Sequence, residues 1–223
     1  MITTVWGRVL FLIYVIVGNT HITQCYRDSD SRKKTKPFPV LVLILMYFVE
    51  AQPVQWVLLT ALVASWLGDI LLIPKGNRWF CAGGISFAIA HVCFMLIYLP
   101  NIAFDSVKLP IFAFPAVIYL IFTVLTMLEV KPDTPKVMRY AMAFYLITNS
   151  TMNLFALAQL VALKNFGAAL AYLGAVLFFI SDCCLYLVRY SERPEMVYKK
   201  HYTVMGTYLT ALAFIIMGML ELQ

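Results

Sequence analysis

The apolar positions of this chain fall in long blocks, not in the every-other-residue alternation of a half-buried strand. A helix that crosses a bilayer needs about 20 apolar residues, with a range of about 17–25. Residues 5–25, 54–73, 82–99, 110–130, 137–163, 166–188 and 202–221 meet that length and predict seven transmembrane helices. Residues 38–49 form a shorter block, bounded by Lys36-Pro37 before it and by Glu50, Gln52 and Pro53 after it. Taken alone, that block fits a re-entrant segment as well as a span.

The polar clusters between the blocks decide how to count it. With eight spans, the connections at 26–37, 74–81, 131–139 and 189–201 share one side of the membrane and hold fourteen of the seventeen Lys and Arg. Arg8, Lys108 and Lys164 remain for the other side. Without the short span this asymmetry is scattered. The excess of basic residues in cytoplasmic loops then predicts an all-α bundle of eight transmembrane helices with both termini outside the cytosol. The first apolar block is followed, not preceded, by basic residues, so it reads as a retained helix and not as a cleaved signal peptide. The connections are short and no internal repeat stands out, so residues 1–223 read as one transmembrane domain.

Composition agrees. Hydrophobic residues make up 62% of the 223 and charged residues 13%, against about 25% charged in a soluble globular domain. This excludes a disulfide-framed secreted domain, a disordered tail and a nucleic-acid reader. The net charge of +6 fits basic loops on anionic lipid. Cys25, Cys81, Cys93, Cys183 and Cys184 form no CxxC pair, and most lie in apolar runs, where they read as small buried hydrophobes.

Chemistry enters with the ionisable groups inside the spans: Asp69, His91 and Asp182. A carboxylate at membrane depth costs about 2.5–3.5 kcal/mol on insertion scales, so such groups face the bundle interior and pair there. Counting from the basic ends of their spans, Asp69 lies about 6 Å in, Asp182 about 9 Å and His91 about 13 Å. Three separate spans thus place their ionisable groups in one half of the membrane. They are either independently satisfied structural groups or one site. The sixth span adds Tyr145, Asn149, Ser150 and Asn153, with the two asparagines on one helix face. Gly83, Gly84, Gly174 and Gly206 read as points of close helix approach. Glu50 and Glu129 lie at span ends and read as solvated. His21 and His201 also lie near span ends, and they are placed on opposite sides.

Four stretches of the chain resemble the YhhN-type lysoplasmalogenase family of membrane vinyl ether hydrolases. Lys36-Pro37 opens the second span. Ser65-Trp66-Leu67-Gly68-Asp69-Ile70-Leu71-Leu72 is similar to the family's small-x-x-G-D-x-x-L segment. Gly84-Ile85-Ser86-Phe87-Ala88-Ile89-Ala90-His91 is similar to its G-x-x-F-x-x-x-H. Gly174-Ala175-Val176-Leu177-Phe178-Phe179-Ile180-Ser181-Asp182 is similar to its G-A-x-L-F-x-x-S-D. Tyr145 and Met152 also stand where the family has a Tyr and a Met. The last helix departs from the pattern: Ala211 and Leu212 occupy the region where a Gln often follows the residue matching Tyr208. No role is assigned to that helix.

The resemblance implies cleavage of the vinyl ether bond of a lysoplasmalogen, a lysophospholipid of the membrane. The products are a fatty aldehyde and glycerophosphocholine or glycerophosphoethanolamine. It also implies the endoplasmic reticulum membrane if the source is a eukaryote. No cofactor and no metal are expected from the residues. Vinyl ethers hydrolyse by slow proton transfer to the alkene carbon, which leaves an oxocarbenium ion. Two acids in a poorly solvated site divide that work, one kept protonated and one ionised, as in a glycosidase pair. Asp69 and Asp182 are expected to be this pair, with His91 positioning water or taking a proton. Lys36, Tyr145, Asn149, Asn153 and Ser181 are expected to contact substrate. Lys75, Arg78 and Arg189 join Lys36 as candidates for the phosphate. Three other readings stay open: a metal-dependent membrane lipid hydrolase using the Asp and His side chains, a proton-coupled transporter or lipid sensor, and a related hydrolase acting on another lysolipid.

Overall fold

In the computed structural model residues 2–102 and 108–223 are described, and among them the architecture is all-helical with no strands. The helices run α1 (Val5–Tyr26), α2 (Ser31–Thr35), α3 (Phe38–Glu50), α4 (Trp56–Leu71), α5 (Asn77–Tyr98), α6 (Leu109–Leu128), α7 (Lys136–Leu163), α8 (Phe166–Tyr190) and α9 (His201–Glu221). Six of these, α1 and α5 to α9, are long and apolar enough to cross a membrane. The two remaining predicted spans appear as α3, with 13 residues, and α4, with 16.

The short helix α4 has a consequence for the site. At 1.5 Å per residue it extends about 24 Å, less than the ~30 Å hydrocarbon core of a bilayer. It stops two residues after Asp69, and the chain at 72–75 continues as the wall of a cavity. At the start of α5 the opposite happens: the helix begins at Asn77, earlier than the apolar block at residue 82. Its polar first turn carries Arg78 and is invisible to a hydropathy reading. The short helix α2 is likewise unforeseen, being five polar and basic residues inside what reads as a loop.

Burial is uneven. Of the apolar stretch of α9, 67% is buried inside the protein, against 50% for α5 and α8, 22% for α1 and 17% for α6. The most intimate pair is α8 with α9. It is permitted by Gly174, where an added Cβ would sit 2.7 Å from the Ala211 carbonyl oxygen. A Cβ at Gly68 would lie 2.6 Å from the Phe87 ring, so α4 and α5 also meet at a glycine. Gly83 likewise faces α4, through Leu72. The expectation fails for Gly84 and Gly206, where a Cβ would meet nothing within 4 Å.

Glu50 also departs from the sequence reading. It is buried rather than solvated, because its carboxylate accepts hydrogen bonds from the backbone N–H and hydroxyl groups of Thr3 and Thr4 at the start of α1. The end of one helix thereby anchors the residues that lead into another. Glu129 does lie at the surface, paired with Arg193 at 2.5 Å. The five cysteines are free, and Cys25, Cys93 and Cys183 are buried.

Candidate functional site

A cavity of about 340 Å³ opens at the end of the bundle where the basic connections gather. Its wall is made by the end of α1, by α2, by the ends of α4 and α8, and by the beginnings of α5 and α9. Asp69 and Asp182 both line it. Helices separated by more than a hundred residues thus bring the two predicted acids to one chamber, and each acid is less than 10% exposed.

Asp69 sits against a cation. Lys36 Nζ lies 3.4 Å from Asp69 Oδ1, and the lysine side chain is only 16% exposed. The lysine is aimed there by the turn between α2 and α3, which Trp66 pins by donating its indole N–H to the Pro37 carbonyl at 2.9 Å. The other carboxylate oxygen, Oδ2, accepts from the Tyr208 hydroxyl at 2.9 Å. The Tyr208 ring is fixed edge-on against Phe87 and Phe178, with centroids 5.7 and 5.3 Å away. Removing two charges from water together is tolerable only with such pairing and hydrogen bonding.

Asp182 sits against neutral dipoles. Its Oδ2 accepts from the Tyr145 hydroxyl at 2.7 Å and from the Asn149 amide at 2.7 Å. Among the described residues, no lysine or arginine reaches it within 4.0 Å; its ionisable partner is His91, with Nε2 3.5 Å away. His91 Nε2 also lies 3.0 Å from the Tyr145 oxygen, while His91 Nδ1 is buried with no partner among the described residues. The tautomer follows from the geometry. Tyr145 spends its hydrogen on Asp182, so Nε2 carries the ring hydrogen and donates to Tyr145, and Nδ1 keeps the lone pair. The result is a chain, His91 to Tyr145 to Asp182.

The predicted set therefore divides. Lys36, Ser181 and both aspartates line the cavity. Tyr145 and Asn149 touch Asp182. Ser181 donates to the Val204 carbonyl at 2.9 Å, and so ties α8 to α9 as well as facing the chamber. His91 is fully buried behind Asp182, its ring edge-on to Phe178 at 4.7 Å. Asn153 is one layer further out, bonded to Asn149 and to Tyr119. Of the basic residues proposed for phosphate, Lys75 and Arg189 line the cavity with Lys36; Arg78 does not, and Arg32 and Lys33 do.

Two features run against the sequence reading. Tyr208, on the helix given no role, is a direct partner of Asp69. His21 and His201 line the same cavity and do not lie on opposite sides, because α1 ends and α9 begins at one end of the bundle. His21 is buried and bonds Thr35 of α2 at 2.8 Å. Among the described residues no group of three or more His, Cys, Asp or Glu is arranged to hold a metal ion. Each aspartate is instead engaged by its own separate partners.

Comparison with curated proteins and with solved structures gives no match. A family model described as the YhhN family matches residues 31–219. The match takes in Lys36, Asp69, His91, Tyr145, Asp182 and Tyr208, and the chain belongs to the YhhN family.

Proposed function

We propose that this membrane protein is a lysoplasmalogenase, cleaving the vinyl ether bond of 1-alkenyl-glycerophosphocholine or 1-alkenyl-glycerophosphoethanolamine. The observation that carries the reading is that Asp69 and Asp182 line one cavity together with the basic side chains of Arg32, Lys33, Lys36, Lys75 and Arg189. That arrangement suits a lipid with an anionic head and an acid-labile bond one glycerol deeper. The membrane is that of the endoplasmic reticulum, with the cavity mouth cytosolic and both termini on the far side.

The two environments support a division of labour. Among the described residues, Asp182 has no lysine or arginine beside it and its Oδ1 makes no hydrogen bond, so Oδ1 is the position for a transferable proton. It delivers that proton to the alkene carbon β to the ether oxygen. The resulting oxocarbenium ion is stabilised by the Asp69 carboxylate, which Lys36 and Tyr208 hold in place. Water adds to the cationic carbon and returns a proton to Asp182. The hemiacetal then collapses: its hydroxyl proton passes to the glycerol oxygen, releasing the aldehyde and the glycerophospho-alcohol. His91 acts as a positioning residue through Tyr145 and does not touch substrate. Arg32, Lys75 and Arg189 supply the positive field for the phosphate.

The experiment is product trapping. Purified protein in lipid nanodiscs receives a lysoplasmalogen, and a hydrazine reagent captures aldehyde; the saturated ether analogue serves as control. Aldehyde from the vinyl ether alone is expected. Metal chelation beforehand is expected to leave the rate unchanged. Absence of aldehyde, or equal cleavage of the saturated ether, overturns the reading.

A further inference from the structure

Two apolar grooves flank the polar cavity. One, of about 490 Å³, lies between α5 and α7; the other, of about 750 Å³, lies between α6 and α8. They differ in how they meet the site. Phe80 lines both the polar cavity and the α5–α7 groove, whereas no residue of the α6–α8 groove lines the cavity. Tyr145 makes a second connection: its hydroxyl donates to Asp182, and the residue lines the α5–α7 groove. The shared wall is aromatic and held from the polar side, with the Arg189 guanidinium 4.4 Å from the Phe80 ring centre and Tyr190 edge-on at 5.2 Å.

The groove is long enough to hold a chain that spans one leaflet. Along α5 it runs from Phe80 to Cys93, thirteen residues or about 20 Å. Half of a ~30 Å hydrocarbon core is about 15 Å. Its shape also explains a glycine that helix packing does not. Gly84 lines the groove and an added Cβ there would meet no atom within 4 Å, so the missing side chain leaves room in the groove itself.

We infer that the α5–α7 groove is the hydrocarbon-chain subsite: it seats the single alkenyl chain of the lysolipid, beginning at Phe80, with Gly84 keeping its upper half open. This rests on the reading of the substrate given under Proposed function. The smaller groove is chosen over the larger because it alone shares a wall with the chamber that holds both carboxylates.

Two measurements on the full chain in phosphatidylcholine nanodiscs test it. First, a lysoplasmalogen with a diazirine near the chain terminus is photolysed on the protein, and adducts are mapped by mass spectrometry. A diacyl phosphatidylcholine carrying the same diazirine reports general lipid contact. Adducts enriched over that control on α5 and α7, and lost on competition with unlabelled lysolipid, are expected. Enrichment on α6 or α8, or no enrichment over the control, overturns the subsite. Second, Gly84→Leu is compared with the unaltered protein across chain lengths. The rate with long chains is expected to fall about tenfold, as for a misfit in an apolar pocket, and the rate with the shortest chains to hold. An unchanged chain-length profile in an active Gly84→Leu protein overturns the inference. If the unaltered protein releases no aldehyde, the functional reading fails, and the adduct map alone then decides for or against the groove.

Discussion

Asp69 and Asp182 are the same side chain buried to a similar degree at one cavity, yet they are held in opposite ways. Asp69 is met by a lysine and a tyrosine, both from outside its own helix pair. Asp182 is met by a tyrosine and an asparagine four residues apart on α7, with a histidine behind them and, among the described residues, no lysine or arginine. Lys36 brings an opposite charge to Asp69, while the hydrogen-bond donors to Asp182 are neutral. Two acids that must divide donor and stabiliser roles need such unequal surroundings. The pair differs in wiring as well. Asp182 is tied to the bundle's polar interior through α7; Asp69 is tied to Lys36, which comes from the connection between α2 and α3.

Breaking this comparison at Asp182 has the largest expected effect. Asp182→Asn keeps an acceptor for Tyr145 and removes the transferable proton, so aldehyde release is expected to fall by about 10³–10⁴. Asp69→Asn is expected to fall by about 10²–10³, the size of a lost electrostatic stabiliser. Near-normal turnover in either purified variant sinks the pair.

Next comes Lys36→Met, which leaves Asp69 buried beside the cavity without its cation. A loss of about 3–5 kcal/mol is expected, read as a lowered thermal midpoint in detergent. Adding Asp69→Asn to it should restore most of that stability, and additivity of the two changes would mean that the ion pair does not form.

Tyr145→Phe and Tyr208→Phe sharpen the contrast at a smaller scale: Tyr208→Phe removes one hydrogen bond and Tyr145→Phe two, at about 1–3 kcal/mol each. If His91 and Tyr145 position Asp182, then Tyr145→Phe and His91→Gln shift the pH–rate profile of kcat in the same sense, with KM nearly unchanged. Tyr208→Phe acts on the other acid and should shift the opposite limb. A change confined to thermal stability, with the profile fixed, would reduce these residues to packing.

Arg193→Ala is the smallest. Its pair with Glu129 lies at the surface, away from the cavity, where ion pairs contribute about 0–1 kcal/mol. Activity and thermal midpoint are expected to stay within error of the unaltered protein.

The three ionisable groups within spans were legible in the chain because a charged side chain in an apolar run is costly and needs a reason. Their depths were less so. Span ends read from hydropathy miss the polar first turn of α5 and the early stop of α4, and both errors move Asp69 and His91 relative to each other. Tyr208 was illegible for a different reason. The chain has thirteen tyrosines, and nothing local marks the one whose hydroxyl ends beside a carboxylate 139 residues away. Glu50 looked solvated because its partners lie at the other end of the preceding span.

By itself the sequence determined that this chain forms apolar helices, and where its positive charge collects. Those properties are sums over many residues, because the hydrophobic effect is non-directional and tolerates errors of a few positions. Which aspartate meets the lysine, which meets the tyrosine and histidine, and which groove shares a wall residue with the chamber were decided only in the tertiary structure. Hydrogen bonds fail within a fraction of an ångström or a few tens of degrees. Their partners are therefore set by helix rotation and register at contacts such as Gly174 with Ala211, which no single stretch of chain encodes.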